Sequence, residues 1–380
     1  MPLQGENVIL WTLPKVLLVG AFWTIWLSNR SFYFPRESYW LIAFVVVSLI
    51  SSSLSIFPFV ALREWITILL CLPVFLVSYN LFIRIPEKQN VFLLGLCVVT
   101  LFYSFGYLLP FLDVDQVGRF GRFQGITGNP NGLATFSLLS SLLLLSFALT
   151  KDNLSYRIIF AALAVLFFAI VVQTGSRKFV IYFAASILIA PFVFSRTFEG
   201  FLKLVFGIFI LVVIGYFSYQ FIDFSVLESR FAIYEVERAF TTRLSLYGDA
   251  FARIGDRIFV GHGIGTFAHF SPFGIPAHGQ VPETLYSTGV FGFFVLTIFY
   301  LMIGYKLVKK WLKQRSDLSS SSDLLFYLCV VMMFAGFHYF DSPFHFFVMG
   351  YLLASAQPVM FFNPRKENAH FRHLEQLPSS

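Results

Sequence analysis

Thr174-Gly175-Ser176-Arg177-Lys178 places two adjacent cations between two apolar runs, and no acid occurs between Asp152 and Glu199 to balance them. A helix start favours negative charge, so cations there without a local acid point to an anionic ligand. The plainer reading is that both side chains reach lipid headgroups. Gly118-Arg119-Phe120-Gly121-Arg122-Phe123 forms a second such place, followed by Thr127-Gly128-Asn129-Pro130-Asn131-Gly132. Asn129 ahead of Pro130 predicts a capped helix start. Arg119 and Arg122 beside it suit a diphosphate or a similar anion, set against simple interfacial anchoring. Arg243 has no acid three or four residues to either side, whereas Arg238 has Glu235 and Arg253 has Asp249 at helix-neighbour spacing, which predicts local pairing for the latter two.

His278 stands in Ala277-His278-Gly279-Gln280-Val281-Pro282-Glu283, just ahead of an apolar run. A neutral imidazole there can take a proton from a hydroxyl near neutral pH, although an isolated histidine more often has a structural role. Gly261-His262-Gly263-Ile264-Gly265 superficially resembles a phosphate loop. No strand–helix unit surrounds it, so nucleotide binding is not expected. The spacings of His262, His269 and His278 suit no common metal site, and no metal is expected.

These residues need elements to hold them, and composition dictates which. Of 380 residues, 57% are hydrophobic and only 12% charged, against roughly 25% charged in soluble domains. Such a chain could not cover a water-facing surface. Apolar runs over 9–28, 39–59, 65–83, 91–109, 131–149, 158–174, 178–194, 202–220, 285–304, 324–340 and 344–361 each approach the ~20 residues that span a bilayer. The expected fold is an all-α polytopic membrane protein with about 11 (10–12) transmembrane helices. It forms one integral membrane domain, 1–380, with polar segments at 111–131 and 221–284 and a tail at 362–380. Ser319–Ser322 reads as a flexible connector, and Lys15 weakens the first span. The N-terminus lacks the basic region and cleavage site of a signal peptide. Cys71, Cys97 and Cys329 lie in apolar runs without metal or disulfide spacing and read as buried small hydrophobes.

The net charge of +7 reads as a topology signal rather than nucleic-acid affinity. Lys306, Lys309, Lys310, Lys313 and Arg315, with Arg365, Lys366 and Arg372 in the tail, predict a cytoplasmic side that also holds Arg36, Arg84, Lys88, Lys151 and Arg157. Segments 111–131 and 221–284 and the turn at Thr174–Lys178 then face the periplasm.

Four stretches in order resemble the O-antigen ligase and O-antigen polymerase superfamily of bacterial envelope glycosyltransferases. They are Gly128-Asn129-Pro130-Asn131-Gly132-Leu133-Ala134, Thr174-Gly175-Ser176-Arg177, Arg243 through Gly265, and His278 through Thr288-Gly289-Val290-Phe291-Gly292. The resemblance covers about residues 110 to 300. It implies ten to twelve helices with a lid-like periplasmic loop between the helices near 202–220 and 285–304, in the bacterial inner membrane. It implies inverting, metal-independent transfer of a glycan from undecaprenyl diphosphate to a hydroxyl acceptor glycan, without a cofactor. His278 would be the base. Arg177, Arg243 and either Arg122 or Arg119 would hold the diphosphate, with Glu283, Asn129 and Tyr247 in acceptor or supporting roles. Three positions depart from the family pattern: Gly279 follows the histidine where a polar residue is usual, Tyr247 stands for a tryptophan, and Glu283 for a frequent glutamine. The implied product is polymerised O-antigen, capsule or exopolysaccharide, alternatively O-antigen ligated to lipid A core. Partners implied are the lipid-linked glycan, membrane lipids, a flippase and a chain-length regulator, with no nucleic acid. A lipid-linked oligosaccharide transporter is the reading from another class, but transporters carry their unusual charges near mid-membrane, and here these gather in the loops.

Overall fold

The structure, a computed structural model, describes residues 20, 24, 33–85, 87–106, 122–150, 153–195, 197–198, 200–202, 205, 231–277, 279–314, 317–336 and 342–358. Its elements are α1 (Ser38–Ser53), α2 (Pro58–Phe82), α3 (Lys88–Phe105), α4 (Pro130–Thr150), α5 (Leu154–Gln173), α6 (Arg177–Phe194), α7 (Ile233–Ile254), the short α8 (Phe267–Phe270), α9 (Gln280–Lys313), α10 (Leu318–Gly336) and α11 (Pro343–Ser355). Among the described residues there is no strand. Among the described residues, seven helices (α2 to α6, α9 and α10) are long and apolar enough to cross a membrane, with α1 and α11 as shorter apolar helices. The chain is a multi-pass helical membrane protein. The expected spans at 9–28 and 202–220 fall almost wholly outside the described residues, as do 111–121, 221–230 and the tail.

A backbone in lipid must satisfy its own polar groups, which is why the apolar runs among the described residues are helices. The helices then associate through small residues and hydroxyl bonds. Ser78 Oγ of α2 donates to Phe347 O of α11 at 2.5 Å, Ser141 Oγ of α4 to Ala164 O of α5 at 2.8 Å, and Ser321 Oγ of α10 to Val193 O of α6 at 3.0 Å. The principal pairings are α2 with α11, α4 with α5, α1 with α9 and α6 with α10. Helix α4 lies at the centre, 78% of its apolar window being buried against 28% for the peripheral α5. Its Ser137, Leu138, Ser140, Ser141 and Leu142 are all inside.

Successive helices run antiparallel, so the loops sort to two ends. One end, here the loop end, gathers the α1–α2 and α5–α6 turns, the start of α4, and α7 with α8; it is tied across by Ser51 Oγ donating to Ser287 O at 2.5 Å and Lys178 Nζ to Gly336 O at 2.6 Å. The opposite end carries a buried ionic network. Lys310 Nζ lies 2.9 Å from Asp323 Oδ2 and donates to Ser355 O at 2.9 Å, Gln89 Nε2 donates to Asp323 Oδ1 at 2.7 Å, and Lys88 Nζ to Ala354 O at 2.6 Å. Lys306 pairs there with Glu37.

One expectation needs correction here. Ser319–Ser322 is no connector but the first turn of α10, with Ser320, Ser321 and Ser322 buried. Asp317 explains it: its carboxylate accepts from Ser319 N at 2.9 Å and from Ser319 Oγ at 2.5 Å. That is the helix-start bond that favours aspartate ahead of a first turn.

Candidate functional site

The predicted helix start at Asn129 holds: α4 begins at Pro130, and Asn129 Oδ1 accepts from Asn131 N at 2.9 Å. This fixes Asn131 facing the α5–α6 turn. Its Oδ1 accepts from Arg122 Nη2 at 3.1 Å and from Ser176 Oγ at 2.8 Å, while Arg122 Nε donates to Thr174 O at 2.7 Å. Phe123 N adds a main-chain bond to Gln173 O at 3.2 Å. One guanidinium thus ties together segments that the sequence separates, and two of the four motif stretches become one joint. Arg119 lies outside the described residues.

Arg177 opens α6 directly after this joint. Lys178 follows, its ammonium held on the Gly336 carbonyl at the end of α10. Helix α7 brings the third cation: Arg243 lies within electrostatic reach of Lys178 and of Tyr182, one turn further along α6. Like charges repel, and an anion placed between them offsets that repulsion.

Helix α7 also reaches the other half of the site. Tyr247 is one turn beyond Arg243, about 6 Å along the axis at 1.5 Å per residue. It lies near Tyr182 on one side. On the other, its phenolic oxygen sits 2.7 Å from where a Cβ on Gly279 would be, with Pro282 Cγ at 3.1 Å. Glu283, buried in the first turn of α9, turns its carboxylate back so that Oε2 accepts from Ala277 N at 2.7 Å. His278 itself is outside the described residues, but both its chain neighbours are fixed, Ala277 by Glu283 and Gly279 under Tyr247. Leu246, Ala250, Ile254, Phe267, Ala277 and Tyr286 form a small apolar core that holds α7 against this strip.

Two features of the site escape sequence reasoning. Helix α9 is broken at Gly289, whose φ of 66° and ψ of −172° are non-helical, leaving a short helix ahead of the span. The break frees main-chain groups, and the Gly261–Gly265 loop takes them up: His262 N donates to Tyr286 O at 2.8 Å and Gly263 N to Ser287 O at 3.0 Å, while Val290 N donates to Ile258 O at 2.8 Å. The His262 ring stacks on Tyr286 at 4.6 Å with Nε2 2.8 Å from Arg253 O. Gly261, Gly263 and Gly265, all at positive φ in the structure, are the signal of this strap that the sequence carries. Secondly, Arg253 does not pair with Asp249 as its spacing predicts. It lies over the Phe270 ring at 5.1 Å, because that face of α7 packs on α8. The predicted Arg238–Glu235 pair rests on side chains outside the described set.

Comparison of the chain with protein-family models and with curated sequences gives no match.

Proposed function

We propose that the chain is a membrane glycosyltransferase that moves a glycan from undecaprenyl diphosphate to a hydroxyl acceptor. The reading is polymerisation of O-antigen, capsule or exopolysaccharide repeat units at the periplasmic face of the bacterial inner membrane. The observation that supports it best is the placement of Arg243 and Tyr247 one turn apart on α7. Arg243 lies within electrostatic reach of Lys178 in the first turn of α6, and Tyr247 lies against Gly279 in the strip that carries His278. That spacing suits a diphosphate at one station and its attached sugar at the next.

In this mechanism Arg177, Arg243 and Lys178 face the diphosphate, while Arg122 holds the turn that presents them. His278 accepts the proton of the acceptor hydroxyl as that oxygen attacks the anomeric carbon. The bond from the anomeric carbon to the diphosphate oxygen breaks with inversion, and undecaprenyl diphosphate leaves with its negative charge. Fixed guanidinium and ammonium groups in a water-poor site stabilise charge that grows on the leaving group, so one base and a few cations suffice.

The test is purified protein in nanodiscs with labelled undecaprenyl-diphosphate repeat units, offered either more repeat unit or lipid A core as acceptor. A ladder of lengthening products with release of undecaprenyl diphosphate supports polymerisation; a single transfer to lipid A core would make it a ligase. In closed proteoliposomes, movement of intact donor across the bilayer with no new glycosidic bond would replace the enzyme by a transporter.

A further inference from the structure

Helix α7 presents three different sides around its axis. At about 100° per residue, Leu246, Ala250 and Ile254 share one side, buried against Ala277 and Tyr286. Phe240, Leu244 and Phe251 fall within about 40° of one another on a second side, and they are 65%, 60% and 51% exposed. Thr241, Ser245 and Asp249 make a third, polar side. A helix between a protein core and water needs only two sides, one apolar and one polar. A second apolar stripe calls for a second apolar neighbour.

Two tethers set the height of this stripe. Arg243 lies within electrostatic reach of Lys178 in the first turn of α6. Arg257, just past α7, donates through Nη1 to Leu54 O at the end of α1. Both tethers are helix termini at the loop end, and the residues between them cover roughly 20 Å at 1.5 Å per residue. Helix α7 therefore runs across the loop end, at the level where the bundle emerges, rather than away from it. The chain beyond it then joins a surface that meets lipid. Ile258 and Phe259 are exposed, and the Phe259 ring lies 5.5 Å from that of Phe291. Phe291, Phe294 and Leu301 are the exposed apolar flank of α9, a helix long and apolar enough to cross the bilayer. From that flank, Phe259 and Ile258 lead back along the chain to Phe251 and the stripe of α7.

We propose that α7 is an interfacial helix whose Phe240, Leu244 and Phe251 side docks into the bilayer leaflet at the loop end. Such helices sink an apolar face about 5–10 Å into the boundary of headgroups and acyl chains and keep a polar face in water. Residues 233–257 carry four arginines against four acids, so docking rests on apolar burial and not on lipid charge. The same depth holds Arg243 and Tyr247 at the level of lipid phosphates, whatever reaction the protein performs.

The experiment places single nitroxide labels along α7 of the full chain, cleared of Cys71, Cys97 and Cys329, in phosphatidylcholine nanodiscs. Dissolved oxygen concentrates in the bilayer and a polar nickel chelate in water. Labels replacing Phe240, Leu244 and Phe251 should relax more with oxygen than with the chelate, and labels replacing Thr241 and Ser245 should show the reverse. A second measurement keeps the native cysteines: a photocrosslinking phenylalanine analogue at Phe240 or Phe251 should couple to an acyl-labelled phosphatidylcholine, and one at Ser245 should not. Chelate access at Phe240, Leu244 and Phe251 equal to that at Ser245 would overturn the proposal. Shielding of the stripe from both reagents, or crosslinks to protein in place of lipid, would overturn it too, by showing that a protein surface covers these side chains.

Discussion

The hydroxyl of Tyr247 occupies the space that any side chain at position 279 would need. The two residues are 32 positions apart, one on α7 and the other just ahead of α9, and both are departures from the family pattern that the sequence resembles. Their contact makes the departures one structural choice: a phenol on α7 takes the room that a residue after His278 would otherwise fill.

A double-mutant cycle tests this pairing. Gly279→Ala should lower stability by about 1–3 kcal/mol through overpacking. In a Tyr247→Phe background, which removes the clashing oxygen, most of that loss should disappear. Thermal unfolding of the four proteins in one detergent reads the coupling, and strictly additive losses would mean that the contact does not constrain position 279.

Arg122 and Arg243 should fail in different ways. Arg122→Ala severs the bonds to Thr174 and Asn131, each worth roughly 1 kcal/mol, so the melting temperature should fall along with donor binding. Arg243→Ala should weaken donor binding with little change in melting, since it relieves repulsion from Lys178. Arg177→Lys keeps the charge but loses the planar fork and should stay impaired. Titrating undecaprenyl diphosphate against each variant, alongside its melting curve, separates the two behaviours; a stability loss in Arg243→Ala like that of Arg122→Ala would argue against the distinction.

His278→Ala should slow transfer by about 10²–10⁴-fold, the usual contribution of a general base, while donor binding persists. His262→Ala should act through folding instead, because its ring stacks on Tyr286 and bonds to Arg253 O. Full transfer activity in His278→Ala would remove it from the mechanism, and loss of donor binding alone would recast it as a binding residue.

Sidedness can be read chemically. In a chain cleared of Cys71, Cys97 and Cys329, cysteine at Ser245, exposed on α7, should react with an impermeant thiol reagent in intact cells. Cysteine at Gln314, exposed at the end of α9, should react only once the inner membrane is opened. The reverse pattern would invert the orientation.

Helix positions were legible because the bilayer dictates them: an apolar run has one stable form, the start at Pro130 matches the reading from Asn129, and the helix at Arg177 begins one residue before the run expected at 178–194. Partners across the bundle were not. Nothing local to Arg122 announces Thr174, and nothing near Glu37 announces Lys306, since both contacts join residues far apart in the chain. The break at Gly289 is hidden because a glycine within an apolar stretch reads equally as packing or as bending. The spacing of Arg253 to Asp249 misleads for an energetic reason: an exposed helix-neighbour ion pair is worth only about 0.3–0.5 kcal/mol, so a nearby aromatic ring competes easily.

The pairing of Glu37 with Lys306 also sets an order of assembly. The carboxylate is synthesised at the start of α1, and its counter-ion arrives only with the end of α9, after most of the bundle has been made. Throughout that interval Glu37 has to stay at headgroup level, because an unpaired buried charge costs several kcal/mol. Early helices are therefore held in a provisional arrangement that closes when α9 inserts. Chains truncated before Gln280 should be cleared quickly in a pulse–chase, and Glu37→Gln should lengthen their lifetime; identical decay of the two truncated chains would show that the carboxylate does not time assembly.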